Sequence, residues 1–284
     1  VPAGTPRYWS WFFAAQAARE PLLGFYALMA EWRALMDPGT ETDVARIKLS
    51  WWQDEIRRLG AGAPSHPITR YIADLPGARS VDFAALDGVL AATAAEVTGV
   101  PLERAALLDA HADALYGIPQ RLAARLVSVS PRDDVSPRDD AGPPRAASPY
   151  SETGTIGACT AALAVAEYLA RAVSDYRREA QRGRFSFPID ELLAAGVDNA
   201  DLCAAVAPPH LQTYLAQQRR RAASHFGDAA RALGRTERPP LRHLAVLAAL
   251  GAKHLNSRRH PVAGLRLADL YNAWTAARRA AAGR

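Results

Sequence analysis

Residues 171–192, RAVSDYRREAQRGRFSFPIDEL, are the stretch on which the reading of this chain turns. Asp175 and Glu179 stand four apart, so a helix through them places both carboxylates on one face. Gly183-Arg184 marks a turn, and Phe187-Pro188 precedes a second helical start. Two acids at this spacing beside a cavity can hold a divalent metal such as Mg2+, and a metal there can bind a diphosphate. The same segment carries Arg171, Arg178 and Arg182, which can neutralise the acids with no metal at all. From the residues alone both readings stand.

Outward from this stretch, nearly every periodic segment is helical. Over 21–36, Leu22, Phe25/Tyr26, Met29, Trp32/Arg33 and Met36 recur at three- and four-residue steps, and Pro38-Gly39 ends the run. Thr42-Asp43 offers a cap to a helix over 44–59, whose stripe reads Val44, Ile47/Lys48, Trp51/Trp52, Glu55/Ile56, Leu59. Further helices are expected over 68–74, 82–97, 101–116 and 117–127, then 150–181, 188–195, 198–205, 208–232, 238–255 and 264–280. Period-two β-branched runs are missing, so the expectation is an all-α bundle of about twelve helices in one domain over 1–284. Residues 128–149 break the pattern: VSPRDD occurs at 129–134 and again at 135–140, which predicts a flexible Pro/Asp-rich loop to which no chemistry is assigned.

Composition narrows the function classes. Hydrophobic residues make up 49% and charged ones 22% of 284 residues, as in an ordinary globular protein. The net charge of +5 is almost all arginine, spread through the helices rather than gathered in a tract, which argues against nucleic-acid binding. Cys159 and Cys203 lack metal-ligand spacing, as expected of two inert thiols in a reducing compartment. WSWFFAAQAA near the start is too short and wrongly flanked for a signal peptide, and no apolar run approaches the roughly 20 residues of a membrane span. The expected location is cytoplasmic, with a peripheral membrane contact or a protein partner left open.

Four segments in order carry a resemblance: RYWSWFFAAQAAREPLLGFYALMAE (7–31), KLSWWQDEI (48–56), YSETGTIGA (150–158), and Asp175 through GRFSFPIDELLAAGV (183–197). Together they resemble the squalene/phytoene synthase family of the trans-isoprenyl diphosphate synthase superfamily, across residues 7–280. The resemblance implies helices around a deep cavity of the class I isoprenoid synthase type. There, Mg2+ held by acidic motifs on facing helices binds two prenyl diphosphates, one is ionised, and the chains are joined head to head. It assigns catalytic roles to Asp175, Glu179 and Asp37, and the metal to Asp175 and Glu179. Arg46, Lys48, Tyr150, Arg171 and Arg184 become candidate diphosphate or substrate contacts, and Phe25 and Trp52 candidate cavity wall.

The chain also departs from the pattern. Arg33 and Asp37 stand where the family has aspartates four apart, a pair expected to satisfy itself as a salt bridge. Arg171 and Ser174 replace an Asn and an Arg, Glu179 replaces an aspartate, and Ser186 replaces a Tyr. Asp109 and Asp113 form another pair four apart, read as a solvated face or a cavity contact. ALMAEWRALMD (27–37) and YSET (150–153) resemble the branch containing the mitochondrial complex I assembly factor. Two functions follow: a protein that binds prenyl diphosphate, with Mg2+-dependent transfer weakened or altered, or a non-catalytic assembly or scaffold factor.

Overall fold

The computed structural model describes residues 3–37, 39–128, 154–233, 239–255 and 266–283. These form helices α1 (Pro6–Phe12), α2 (Arg19–Ala34), α3 (Thr42–Gly60), α4 (Pro67–Ala73), α5 (Leu86–Thr98), α6 (Leu108–Ala112) and α7 (Ile118–Ser128). They continue with α8 (Thr155–Ala180), α9 (Ile189–Ala194), α10 (Asn199–Cys203), α11 (Pro209–Ala232), α12 (Arg242–Leu255) and α13 (Leu267–Ala281). No strand occurs among the described residues, so the chain is all-α as expected. The repeated VSPRDD and Tyr150 lie outside the described residues.

The bundle is organised around α8, against which α6, α7, α10, α11 and α12 pack. At 26 residues it is roughly 39 Å long. Its Ile156, Leu163, Val165, Tyr168, Leu169 and Val173 are buried, and the alanines between them let neighbouring helices approach closely. Among the described residues α8 is the one helix long and apolar enough to cross a bilayer, but 67% of its most apolar window is already buried inside the bundle. The helix spends that apolar surface on its own core.

Helix α3 shows where periodicity points correctly and where its phase slips. The buried side is Ala45, Leu49, Trp52, Ile56 and Leu59, whereas Val44, Ile47 and Trp51 are exposed. The true stripe therefore runs one residue later than the expected one at its first turns. Thr42 is the first helical residue rather than the cap, and Glu41 precedes it without a capping side-chain bond.

Glu55, on the same helix, is fully buried and ties α3 to α4. Its carboxylate accepts from the backbone N–H groups of Ser65 and His66, both at 2.8 Å, from the Ser65 hydroxyl at 2.6 Å, and from the Thr69 hydroxyl. Arg58 closes the cage at 2.8 Å. The acid thus satisfies donors at the start of α4, where Pro67 and the His66 ring nitrogen complete the cap. Burial alone would raise this carboxyl, but the hydrogen bonds from Ser65, Thr69 and His66 and the Arg58 partner bring it down to about 2.

Between α6 and α7 the chain forms one π turn, Asp113–Gly117, in which the Ile118 N–H reaches back to the Asp113 carbonyl. Pro119 supplies the reason: it has no N–H for the α-type bond and its ring crowds the carbonyl four residues earlier. Asp113 and Arg121 then meet across the widened turn, bidentate at 2.5 and 2.6 Å.

Glu55→Gln is expected to lower unfolding stability by about 2 kcal/mol at neutral pH, read from the urea midpoint. Because folding depresses the Glu55 pKa from the ordinary 4.5 to about 2, its contribution is present above about 4.5 and is lost as pH falls through about 2. The Gln variant should lack that part of the acid dependence.

Candidate functional site

Asp175 and Glu179 sit at the end of α8 with their charges already matched. Arg178 lies 2.9 Å from Asp175 and 3.5 Å from Glu179. Gly183, with φ +71°, reverses the chain in the left-handed conformation, so that the Arg184 N–H bonds the Glu179 carbonyl at 3.0 Å. That turn also brings the Arg184 guanidinium to 3.8 Å from the Glu179 carboxylate. Arg184, a candidate diphosphate contact, is thereby engaged with the acid itself.

Arg171 does not turn toward Asp175. It pairs with Glu96 of α5 at 2.7 Å, while the other Glu96 oxygen lies 2.9 Å from His111 Nε2. The Tyr168 ring lies 5.2 Å from the guanidinium carbon, and the Tyr168 hydroxyl donates to the Ser186 carbonyl. Burial alone would raise the Glu96 carboxyl, but Arg171 and His111 hold it down at about 2. Arg171 is shifted the other way: burial opposes its charge, and Tyr116, Glu96 and Tyr168 outweigh that and raise its pKa. A second buried pair, Arg7 with Glu167 at 3.0 Å, links α1 to α8.

The first acidic position is rearranged as well. Helix α2 ends at Ala34, so Asp37 falls beyond it in a turn and the expected Arg33–Asp37 ion pair does not form. Arg33 has no ionic partner among the described residues, and Asp37 is exposed. Arg46 lies 3.9 Å from Asp43 on the surface, and Lys48 is exposed on the outer side of α3. Phe25 and Trp52 are core residues, Trp52 meeting Trp32 edge to face at 5.9 Å. Asp109 is largely solvated beside Arg221, whereas Asp113 is taken by Arg121.

A partly open recess lies elsewhere. It measures about 340 Å3 with the solvent at its mouth included and sits between α2 (Met29, Trp32, Arg33, Met36), α5 (Val89, Thr93), Leu115-Tyr116 of the π turn, and Arg7. Its wall is mostly apolar and contains two guanidinium groups and no acid. Arg7 is neutralised by Glu167, which leaves Arg33, exposed to solvent at the rim, as the lining cation without an ionic partner among the described residues. Beside it the Trp32 indole N–H is buried without a hydrogen-bond partner. Sequence spacing brought out Arg33 only as half of an ion pair. The signal that could have found this wall is the Met29/Trp32/Met36 stripe with Arg33 on its edge.

A family model described as squalene/phytoene synthase matches residues 2–261. The chain belongs to the squalene/phytoene synthase family. Among solved structures, a dehydrosqualene synthase in complex with ligand is similar at TM-score 0.71 and 14% identity, over 96% of this chain and 89% of that one. Squalene synthase HpnC from Alicyclobacillus acidocaldarius is similar at TM-score 0.65 and 18% identity, over 87% of this chain and 85% of that one. No curated protein matches the chain. At these identities the structural likeness carries the fold and nothing finer.

Squalene/phytoene synthases generally depend on magnesium. The donor set here does not fit such a cluster: Asp175 and Glu179 are occupied by Arg178 and Arg184, and no group of three or more metal-binding side chains occurs among the described residues.

Glu96→Gln should leave Arg171 buried without a counter-charge and cost about 3–5 kcal/mol of stability. Replacing both partners, Glu96→Leu with Arg171→Met, should recover most of that loss, as read from urea unfolding at unchanged m-value.

Proposed function

We propose that this squalene/phytoene synthase-family chain binds a prenyl diphosphate in the cavity between α2, α5 and the π turn, and that it holds the anion through arginine rather than through magnesium. The observation that carries the reading is Arg33, a guanidinium on the cavity wall with no carboxylate of its own. A guanidinium donates two parallel hydrogen bonds to phosphate oxygens, and the buried Trp32 N–H offers another donor beside it. Met29, Met36, Val89 and Leu115 supply an apolar surface for the isoprenoid chain. Magnesium-dependent ionisation and transfer are weakened in this reading, because the α8 acids are matched by Arg178 and Arg184. Those same pairs favour a second reading, a scaffold or assembly factor that performs no chemistry.

Titration calorimetry with farnesyl diphosphate separates these possibilities. Binding should persist in EDTA, fall at least roughly tenfold in Arg33→Ala, and change little in Asp175→Ala. Binding only with Mg2+, or undiminished binding by Arg33→Ala, would overturn the arginine-held site. Scoring farnesyl and geranylgeranyl diphosphates for diphosphate release then divides residual catalysis from the scaffold reading: robust Mg2+-dependent release lost in Asp175→Ala would sink the latter.

A further inference from the structure

Helix α13 is amphipathic in the wrong sense for a helix whose only task is to cover a core. Its buried side is Asp269, Ala273, Ala277 and Ala280, which contributes little apolar bulk. Its large apolar side chains face outward: Leu267 is 83% exposed, Tyr271 65%, Trp274 42% and Leu270 36%. Positions 267, 270, 271, 274 and 278 share one stripe of a helix. Along that stripe the Tyr271 and Trp274 rings lie 6.1 Å apart, and the Arg278 guanidinium sits 4.8 Å from the Trp274 ring centre. A core-facing helix would place the leucines and aromatics inside and the alanines out, so the outer face has an occupant of its own.

Charge identifies the occupant. α13 packs with α1 and α12; on these helices Arg7 is paired with Glu167, Arg242 donates to the Phe13 and Ala14 carbonyls and Lys253 lies beside Asp269, so the outward charge is that of Arg278 and Arg279. Asp269 is 3% exposed and lies 3.1 Å from His254 and 3.8 Å from Lys253, so it presents no negative charge outward. Arg278 and Arg279 are exposed in the last turn. Leucine and aromatic rings flanked by exposed arginine match the boundary of an anionic bilayer, where the rings enter the headgroup layer and the guanidinium groups meet phosphates. A second copy of α13 would bring like charges together with no acid to relieve them.

We infer that α13 is an interfacial helix that seats the protein on anionic lipid through Leu267, Leu270, Tyr271 and Trp274, with Arg278 and Arg279 on the headgroups. The inference does not rest on the cavity reading, because vesicle binding is scored with no prenyl diphosphate present.

The test is co-sedimentation of the full chain with vesicles of phosphatidylcholine alone, or with about one third phosphatidylglycerol. Binding is expected to the anionic vesicles, to weaken with added salt, and to fall roughly tenfold or more in Tyr271→Ser/Trp274→Ser and in Arg278→Glu/Arg279→Glu. All four side chains are exposed, so both double variants should keep the wild-type circular dichroism and melting midpoint. Failure to sediment with anionic vesicles, equal binding to neutral ones, or wild-type binding by both double variants would overturn the inference. A solution dimer dispersed by Trp274→Ser, without vesicle binding, would overturn it in favour of self-association.

Discussion

A guanidinium stays charged at any pH a folded protein meets, so an arginine drawn into this bundle calls for acceptors within reach: the Phe13 and Ala14 carbonyls serve Arg242, and paired carboxylates serve others. Three such pairs tie the interior: Arg7 with Glu167, Arg171 with Glu96, and Arg121 with Asp113. The first joins α1 to α8 and the second joins α8 to α5, so each fixes how two helices distant in sequence lie against one another. Glu96 also engages His111, which extends the tie to α6. Removing one member would strand its partner in a medium that solvates charge poorly, which makes the pairs interdependent with the packing around them.

That constraint also shapes the site. Glu167, Glu96 and Asp113 are each engaged by an arginine, and the two acids at the end of α8 are matched by Arg178 and Arg184. The cavity is therefore left with a net positive wall, since Arg7 is spoken for and Arg33 is not. The aromatic face of α13 belongs to a separate packing unit with its own small core of Trp9, Val246, Leu250, Ala273 and Ala277. The arginine-lined recess and the exposed aromatic face of α13 thus occupy different parts of one chain.

Much of this was legible in the sequence. Period and punctuation gave the helices, and the order of four short segments gave the family. What stayed hidden were the choices made between helices. Spacing says that Arg171 lies within a turn of Asp175, but only the packed bundle says that Glu96, 75 residues earlier, is its partner. Arg33 and Asp37 have helical spacing, yet the helix ends at Ala34, just short of carrying them both. Glu55 falls on the stripe of its helix in the sequence, but nothing local reveals that the next helix begins over it and supplies its donors. For α13 the sequence gives a helix over 264–280 but not which of its faces is covered, and only the packed bundle shows that Leu267, Tyr271 and Trp274 point outward.

The π turn of Asp113–Gly117 has a consequence for how this protein can vary. The Asp113 carboxylate occupies the space where a Gly117 side chain would stand, so the turn, the glycine and the Arg121 partner form one unit. The turn is wide because it takes in one residue more than an α turn, so loss of a single residue there would restore the four-residue bond and leave the downstream helix close to its present register. What would go is the widened space that seats the Asp113 carboxylate, and with it the geometry of its bond to Arg121. At this point of the rod the chain carries a spare position: a change of length is absorbed locally, whereas a side chain in place of Gly117 is not.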